Sequence, residues 1–128
     1  MILVLDDNPI RHRMFKKGLI GAPVVHTTRA DEAVRLLQEH RPSVVFLDFD
    51  LDQFGDLTAG NGRQVVNWIL TAPDDWRKTT FFIHSMNPID GPGMYRALIK
   101  AKLKAHLYPR AWELPTLMGL AVAYAKAA

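Results

Sequence analysis

Aspartates stand in this sequence directly behind short apolar runs. Asp6 and Asp7 follow Ile2-Leu3-Val4-Leu5, and Asp48 follows Val44-Val45-Phe46-Leu47, with Asp50 two residues further on. Another apolar run, Phe81-Phe82-Ile83, passes into His84-Ser85, and Asn87 comes shortly after. Carboxylates held within a few ångströms repel one another. The repulsion is relieved by protonating one of them or by binding a hard cation such as Mg²⁺ through oxygen ligands. The chain has no cysteine, so disulfides and thiolate metal sites are excluded and the chemistry must rest on oxygen and nitrogen. A divalent metal, Mg²⁺ or Mn²⁺, is the simplest reconciliation if these carboxylates meet.

The elements that position them are short and regular. Four residues without a polar break, as at Ile2–Leu5 and Val44–Leu47, describe strands buried on both faces of a sheet. Asn8-Pro9 supplies a helix start, with an N-cap amide and a proline at the first helical position, and Gly21 is read as closing that helix. Val24-Val25 begins a second strand, and Thr27 or Thr28 leads into a helix carrying Ala33, Val34, Leu36 and Leu37. The stretch from Asp50 to Asn61 has no apolar periodicity and reads as a long loop, a class that often carries function. A third helix follows around Val65 to Leu70, stopped by Pro73. The fourth strand, a Pro/Gly-rich loop from Met86 to Pro92, a helix over Met94 to Leu103, a short strand over Ala105 to Tyr108 and a closing helix over Leu114 to Ala125 complete the chain.

Strand and helix alternate five times with no hairpin signature. This predicts a single α/β domain over residues 1–128, a doubly wound (βα)5 flavodoxin-like fold with a parallel five-stranded sheet. The expected strand order is 2-1-3-4-5, which sets the first and third strands side by side and directs ligands to the carboxyl ends of the strands. Asp6, Asp7, Asp48, His84, Ser85 and Asn87 then converge. Set against a mere charge cluster at a helix start, two aspartates at one strand end with a third opposite favour a site. Asp50 reads equally as a further ligand or base and as a loop carboxylate facing solvent, because it alternates away from Asp48.

Bulk properties narrow the class of function. The 128 residues are 48% hydrophobic, enough for a core. No apolar stretch approaches the roughly 20 residues that span a bilayer, and Asp6-Asp7 interrupt any signal-peptide pattern, so no membrane association and a cytoplasmic setting are expected. The net charge of +3 invites an anionic ligand. The basic residues fall into two dispersed groups, Arg11, Arg13, Lys16 and Lys17, and Lys100, Lys102 and Lys104. Both suit solvated helix faces better than a nucleic-acid surface. The tryptophans Trp68, Trp76 and Trp112 lie on different elements and read as packing, as does Tyr108, while His12, His26, His40 and His106 read as surface or structural.

The run Ile2 to Asp7, the apolar strand into Asp48 and the fourth strand into Ser85 resemble the receiver domain of two-component response regulators. That resemblance implies Asp6 and Asp7 as Mg²⁺ ligands, Asp48 as the phosphoacceptor equivalent, and Ser85 or His84 at the fourth-strand switch position. The fifth strand departs from it: receivers place a lysine before a proline there, and this chain has Tyr108-Pro109-Arg110. Arg110 is the available substitute, with a planar fork in place of a point charge.

Two further segments, Asp48-Phe49-Asp50-Leu51 and His84-Ser85-Met86-Asn87-Pro88, resemble signatures of a receiver-related family predicted to process cyclic phosphates, Leu-Asp-His-Asp-Leu and His-Ser-Met-Asn-Pro. The second is matched in full, and Gly62 to Ile69 is similar to that family's helix after the long loop. Phe49 stands where the family commonly has histidine.

The expected activity is metal-dependent hydrolysis of cyclic phosphates on nucleotides or RNA ends. Mg²⁺ on Asp6, Asp7, Asp48 and Asp50 would activate water and pair with the phosphate. His84 would serve as the acid, and Ser85 and Asn87 would bond to phosphate or sugar. Two alternatives stay open: a catalytically degenerate binding module that sequesters a nucleotide or meets a protein partner, and a stand-alone phospho-receiver.

Overall fold

The computed structural model describes residues 1–72, 74–108 and 114–127. Five strands, β1 (Ile2–Leu5), β2 (Val24–Thr27), β3 (Val44–Leu47), β4 (Thr80–Ile83) and β5 (Lys104–Leu107), alternate with five helices. The helices are α1 (Pro9–Gly18), α2 (Ala30–His40), α3 (Gly62–Thr71), α4 (Asp90–Lys100) and α5 (Leu114–Ala127). All strand pairs are parallel and the order is β2-β1-β3-β4-β5, the arrangement expected from the sequence. The three central strands are buried at every residue, whereas β2 and β5 at the edges are only partly covered. This is why β1 and β3 are unbroken apolar runs and β4 is apolar after Thr80, while the edge strands tolerate His26, Lys104 and His106.

Side-chain alternation divides the core between the two faces. Leu3, Leu5, Val45, Leu47, Phe81 and Ile83 pack with α2, α3 and α4. Ile2, Val4, Val44, Phe46 and Phe82 pack with Phe15 and Leu19 of the α1 segment and Leu117, Met118 and Ala121 of α5. The registers Leu5↔Leu47 and Leu47↔Ile83 end the three central strands in one row. The ladder runs one residue further, with Asp48 N–H donating to Leu5 C=O (3.0 Å) and His84 N–H to Leu47 C=O (3.2 Å). Asp6, Asp48 and His84 therefore stand side by side. By alternation they share the α1 face, while Asp7, Phe49 and Ser85 take the opposite one.

Several element ends differ from the sequence reading. Helix α1 stops at Gly18 with Leu19 as C-cap, and Gly21 lies in the following turn at φ +99°. Arg29, rather than Thr27 or Thr28, is the N-cap of α2, with the Thr27 hydroxyl accepting from Arg29 N–H (3.3 Å). Helix α4 begins at Asp90, well before Met94, because the Asn87 side chain accepts from both Ile89 N–H and Asp90 N–H (3.1 and 2.9 Å). Pro92 falls in its first turn, where no N–H donation is required. Strands β4 and β5 each begin one residue earlier than read, and α5 continues to Ala127. Pro73, the Pro109-Arg110 pair and Trp112 lie outside the described residues.

Candidate functional site

The site grows from the row of strand ends. Ligand atoms of Asp6, Asp48 and His84, all three buried, lie within 4.8 Å of one another. His84 Nε2 is 2.7 Å from Asp6 Oδ2. An ionised carboxylate only accepts, so Nε2 carries the proton. Among the described residues Nδ1 of the same ring, which is buried, has no hydrogen-bond partner, and the ring stands edge-on to Phe15 and Phe46. Its side chain has no exposed surface, so His84 sits behind Asp6 rather than over a ligand.

Arg11 completes the cluster and was not selected from the sequence, which grouped it with a solvated basic face. It is the third residue of α1, and side chains on a helix lean toward its N-terminus, here toward the strand ends. Nε donates to Asp6 Oδ2 (2.6 Å), and Nη2 donates to Asp6 Oδ1 (3.0 Å) and to Asp48 Oδ2 (3.1 Å). The spacing from the N-cap was the available signal: Asn8 fixes where α1 starts, and hence which basic residue occupies its first turn. Behind Asp6, the imidazole Nε2 of His12 donates to the Asp6 carbonyl (2.5 Å), and its Nδ1 pairs with His26 Nδ1 (2.6 Å).

Asp7 faces the other way. Its Oδ2 accepts from Gln53 N–H (2.8 Å), pinning the long loop, while its buried Oδ1 has no partner among the described residues. That loop is closed at its base by a bridge between Asp50 and Asn61 and by Gly62 N–H donating to Phe49 C=O (3.0 Å). Arg29 fastens its far side through Asp56 (2.7 Å) and the Thr58 hydroxyl (3.0 Å). Opposite, the Ser85 hydroxyl accepts from Asn87 N–H (3.2 Å), and Asn87 Nδ2 reaches Asp50 Oδ2 at 3.5 Å. A cavity of about 240 Å³ opens between these walls, lined by Arg11, Asp48, Asp50, Gln53, Met86, Asn87 and Pro88.

Of the residues singled out in the sequence, then, Asp48, Asp50 and Asn87 reach the cavity, and Asp6 and His84 lie buried behind Asp48 and Arg11 without lining it. Asp7 and Asp50 are not members of the Asp6–Asp48–His84 group. Ser85 supports the turn into α4, and Phe49 packs against the core on the α2–α4 side of the sheet. Burial pushes the Asp48 carboxyl up to about 6; the neighbouring charges of Asp6 and Asp7 add to the rise, and His84 and Arg11 offset it only in part. Burial would raise Asp6 too, but His84 and Arg11 hold it well below the usual carboxylate range. Asp7 is raised, chiefly by burial. One carboxylate is thus firmly ionised while its neighbours retain an unmet demand for positive charge.

Comparison with known proteins bears on this arrangement. The family described as "Cyclic-phosphate processing Receiver domain" matches residues 1–100, which include the acidic row, the long loop and the His84-to-Pro88 segment. The chain belongs to that family. No curated protein matches. Solved structures with the same fold include the signal receiver domain of a putative LuxO repressor protein from Vibrio parahaemolyticus. It shows TM-score 0.67 and 20% identity, with 98% of this chain and 92% of that one covered. The receiver domain of NtrX from Brucella abortus gives 0.65 at 19% identity over 96% and 98%. The N-terminal domain of an uncharacterized protein from Wolinella succinogenes gives 0.70 at 16% over 98% and 94%. At these identities the likeness concerns the fold. Among the described residues no helix is long and apolar enough to cross a membrane.

Proposed function

We propose that this domain hydrolyses cyclic phosphates on nucleotides or RNA ends, with Mg²⁺ or Mn²⁺ held on its acidic cluster. The observation that carries the reading is the placement of Asp48 and Asp50 on one cavity wall with Asn87 and Arg11, in a chain of the cyclic-phosphate processing family. The cavity is smaller than the roughly 300–1,000 Å³ of sites that enclose a drug-sized ligand. It suits the phosphate end of a substrate, with the rest of the nucleotide or chain outside.

The residues fit a hard divalent ion. Among the described residues Asp7 Oδ1 is buried and unpartnered, Asp48 Oδ1 accepts only from Phe49 N–H (2.9 Å), and Arg11 alone brings a guanidinium to Asp6 and Asp48. Asp6, Asp7 and Asp48 would hold the ion. Bound there, it would lower the pKa of a water and pair with the phosphoryl oxygens. The chain's own groups do the rest. Asp50 orients the attacking water and takes its proton, Asn87 Nδ2 donates to phosphate or sugar, and the leaving oxygen is protonated from the open cavity. Water is added across one P–O bond, and a cyclic diester becomes a monoester. His84 does not line the cavity, so its part is positioning: its Nε2–H fixes Asp6.

A second reading rests on Phe49, which fills the position of the family's usual histidine and packs into the core rather than toward the cavity. Under it the domain binds a phosphate ligand, or a protein partner, without turnover. Incubating the protein and Asp48→Asn with Mg²⁺ or Mn²⁺ and a panel of 2′,3′- and 3′,5′-cyclic nucleotides and oligonucleotides separates the two. Turnover by wild type, lost in the variant, is the expected result. Tight binding of one ligand with no turnover of any selects the sequestering module, and labelling of Asp48 by acetyl phosphate selects a phospho-receiver.

A further inference from the structure

We propose that Arg11 is the resident cation of the acidic cluster, and that Arg11 and a divalent metal ion exclude one another there. The inference rests on the metal reading above and concerns what the ion must displace. An ionised carboxylate has about four lone-pair positions, and those of Asp6 are all taken. Oδ1 accepts from Asn8 N–H (2.8 Å) and Arg11 Nη2 (3.0 Å), and Oδ2 from Arg11 Nε (2.6 Å) and His84 Nε2 (2.7 Å). No metal ion can take an Asp6 oxygen unless one donor leaves.

Two of those donors are fixed. Asn8 N–H belongs to the backbone at the N-cap of α1, and the His84 ring is enclosed with no exposed surface. Arg11 is the donor that can leave. Its side chain is 12% exposed, it borders the cavity, and among the described residues its Nη1 has no hydrogen-bond partner to hold it. Its departure would also free Asp48 Oδ2, to which Nη2 donates. One movement thus clears an oxygen on each of two carboxylates. Electrostatics work in the same direction, because a guanidinium and a divalent ion a few ångströms apart in a buried site repel strongly. The displaced guanidinium would still edge the cavity, where a phosphate is its natural counter-charge. Arg11 thereby links ion entry to anion binding.

The test compares Mn²⁺ binding, by electron paramagnetic resonance of the free ion, in the wild-type domain, Arg11→Met and Arg11→Lys. Circular dichroism establishes that each is folded. Removing the competing charge should tighten Mn²⁺ binding roughly tenfold or more in Arg11→Met, with Arg11→Lys closer to wild type. A second readout needs no substitution. The Arg11 Nε–H, held at 2.6 Å by Asp6, should give a slowly exchanging ¹⁵N signal that shifts and exchanges freely at saturating Mg²⁺. Equal Mn²⁺ affinity in wild type and Arg11→Met, or an Nε–H signal unchanged at saturation, overturns the exclusion and leaves the metal reading standing. Binding by none of the three proteins overturns both.

Discussion

Asp48 costs the fold stability that its site demands. Its carboxyl sits at about 6 in the folded chain, against about 3.9 for an unfolded aspartate. Between those values the folded protein holds a proton that the unfolded chain has released. The carboxyl therefore favours unfolding progressively as pH rises through this window, and the full penalty, about 2–3 kcal/mol, applies above it. Asp6, held low, acts in the opposite sense: its stabilisation is present above about 4 and is lost as pH falls below. Asp48→Asn should raise urea-unfolding stability at pH 7 by about 2 kcal/mol in the presence of a chelator, and flatten its decline between pH 4.5 and 7. A variant no more stable than wild type at pH 7 would contradict the buried, only partly compensated carboxylate. At this scale the sequence was informative about Asp6, Asp48 and His84, each the first residue after a buried strand. Its signal for Arg11 was weak: the Asn8 N-cap sets that residue in the first turn of α1, but a basic residue beside Arg13, Lys16 and Lys17 looks solvated unless the tilt of helix side chains toward the strand ends is weighed.

At the scale of elements, residues chosen for chemistry also turn out to hold helix starts. Asn87 was selected as a hydrogen-bond donor to phosphate or sugar, yet its Oδ1 accepts from Ile89 N–H and Asp90 N–H and so starts α4 early. Asn87→Ala should lower stability by about 1 kcal/mol through loss of these two hydrogen bonds at the entry to α4. Asn87→Asp should keep most of that stability while setting a second carboxylate against Asp50, a separation that thermal melts of the two variants read directly. Gly62, at the start of α3, meets the site from the other side. A Cβ there would overlap the Asp48 carbonyl oxygen and stand 2.7 Å from Met94 Cε. Gly62→Ala must push α3 away from β3, with an expected loss of about 1–3 kcal/mol in chemical denaturation. Neither contact was legible beforehand. Helix periodicity reports the face a helix buries, not how closely its first turn approaches a strand end, and Pro92 read as a loop residue although a first turn accepts it.

Across the whole molecule, strand order and register do most of the positioning, and these follow from patterns that survive in a single sequence. Three buried four-residue runs ending level place Asp6, Asp48 and His84 in one row, and alternation sends Asp7, Phe49 and Ser85 to the other face. The 50–61 loop is different, since its path depends on contacts between residues far apart in the chain. Asp7 holds the Gln53 amide on the site side, and Arg29 holds Asp56 and Thr58 on the outer side. The Arg29 contacts are exposed ion pairs, sensitive to salt and worth little to global stability. Their expected effect is local, on how readily the loop opens. Arg29→Ala should leave the melting temperature nearly unchanged while speeding hydrogen exchange at the Gln53 amide, and 1 M salt should bring wild type toward the variant. Exchange at Gln53 that is the same in both proteins would mean that Asp7 alone holds the loop. An opening that Arg29 controls would instead make the outer clamp, 27 residues from its partner in sequence, the part of the fold that sets access to Asp48.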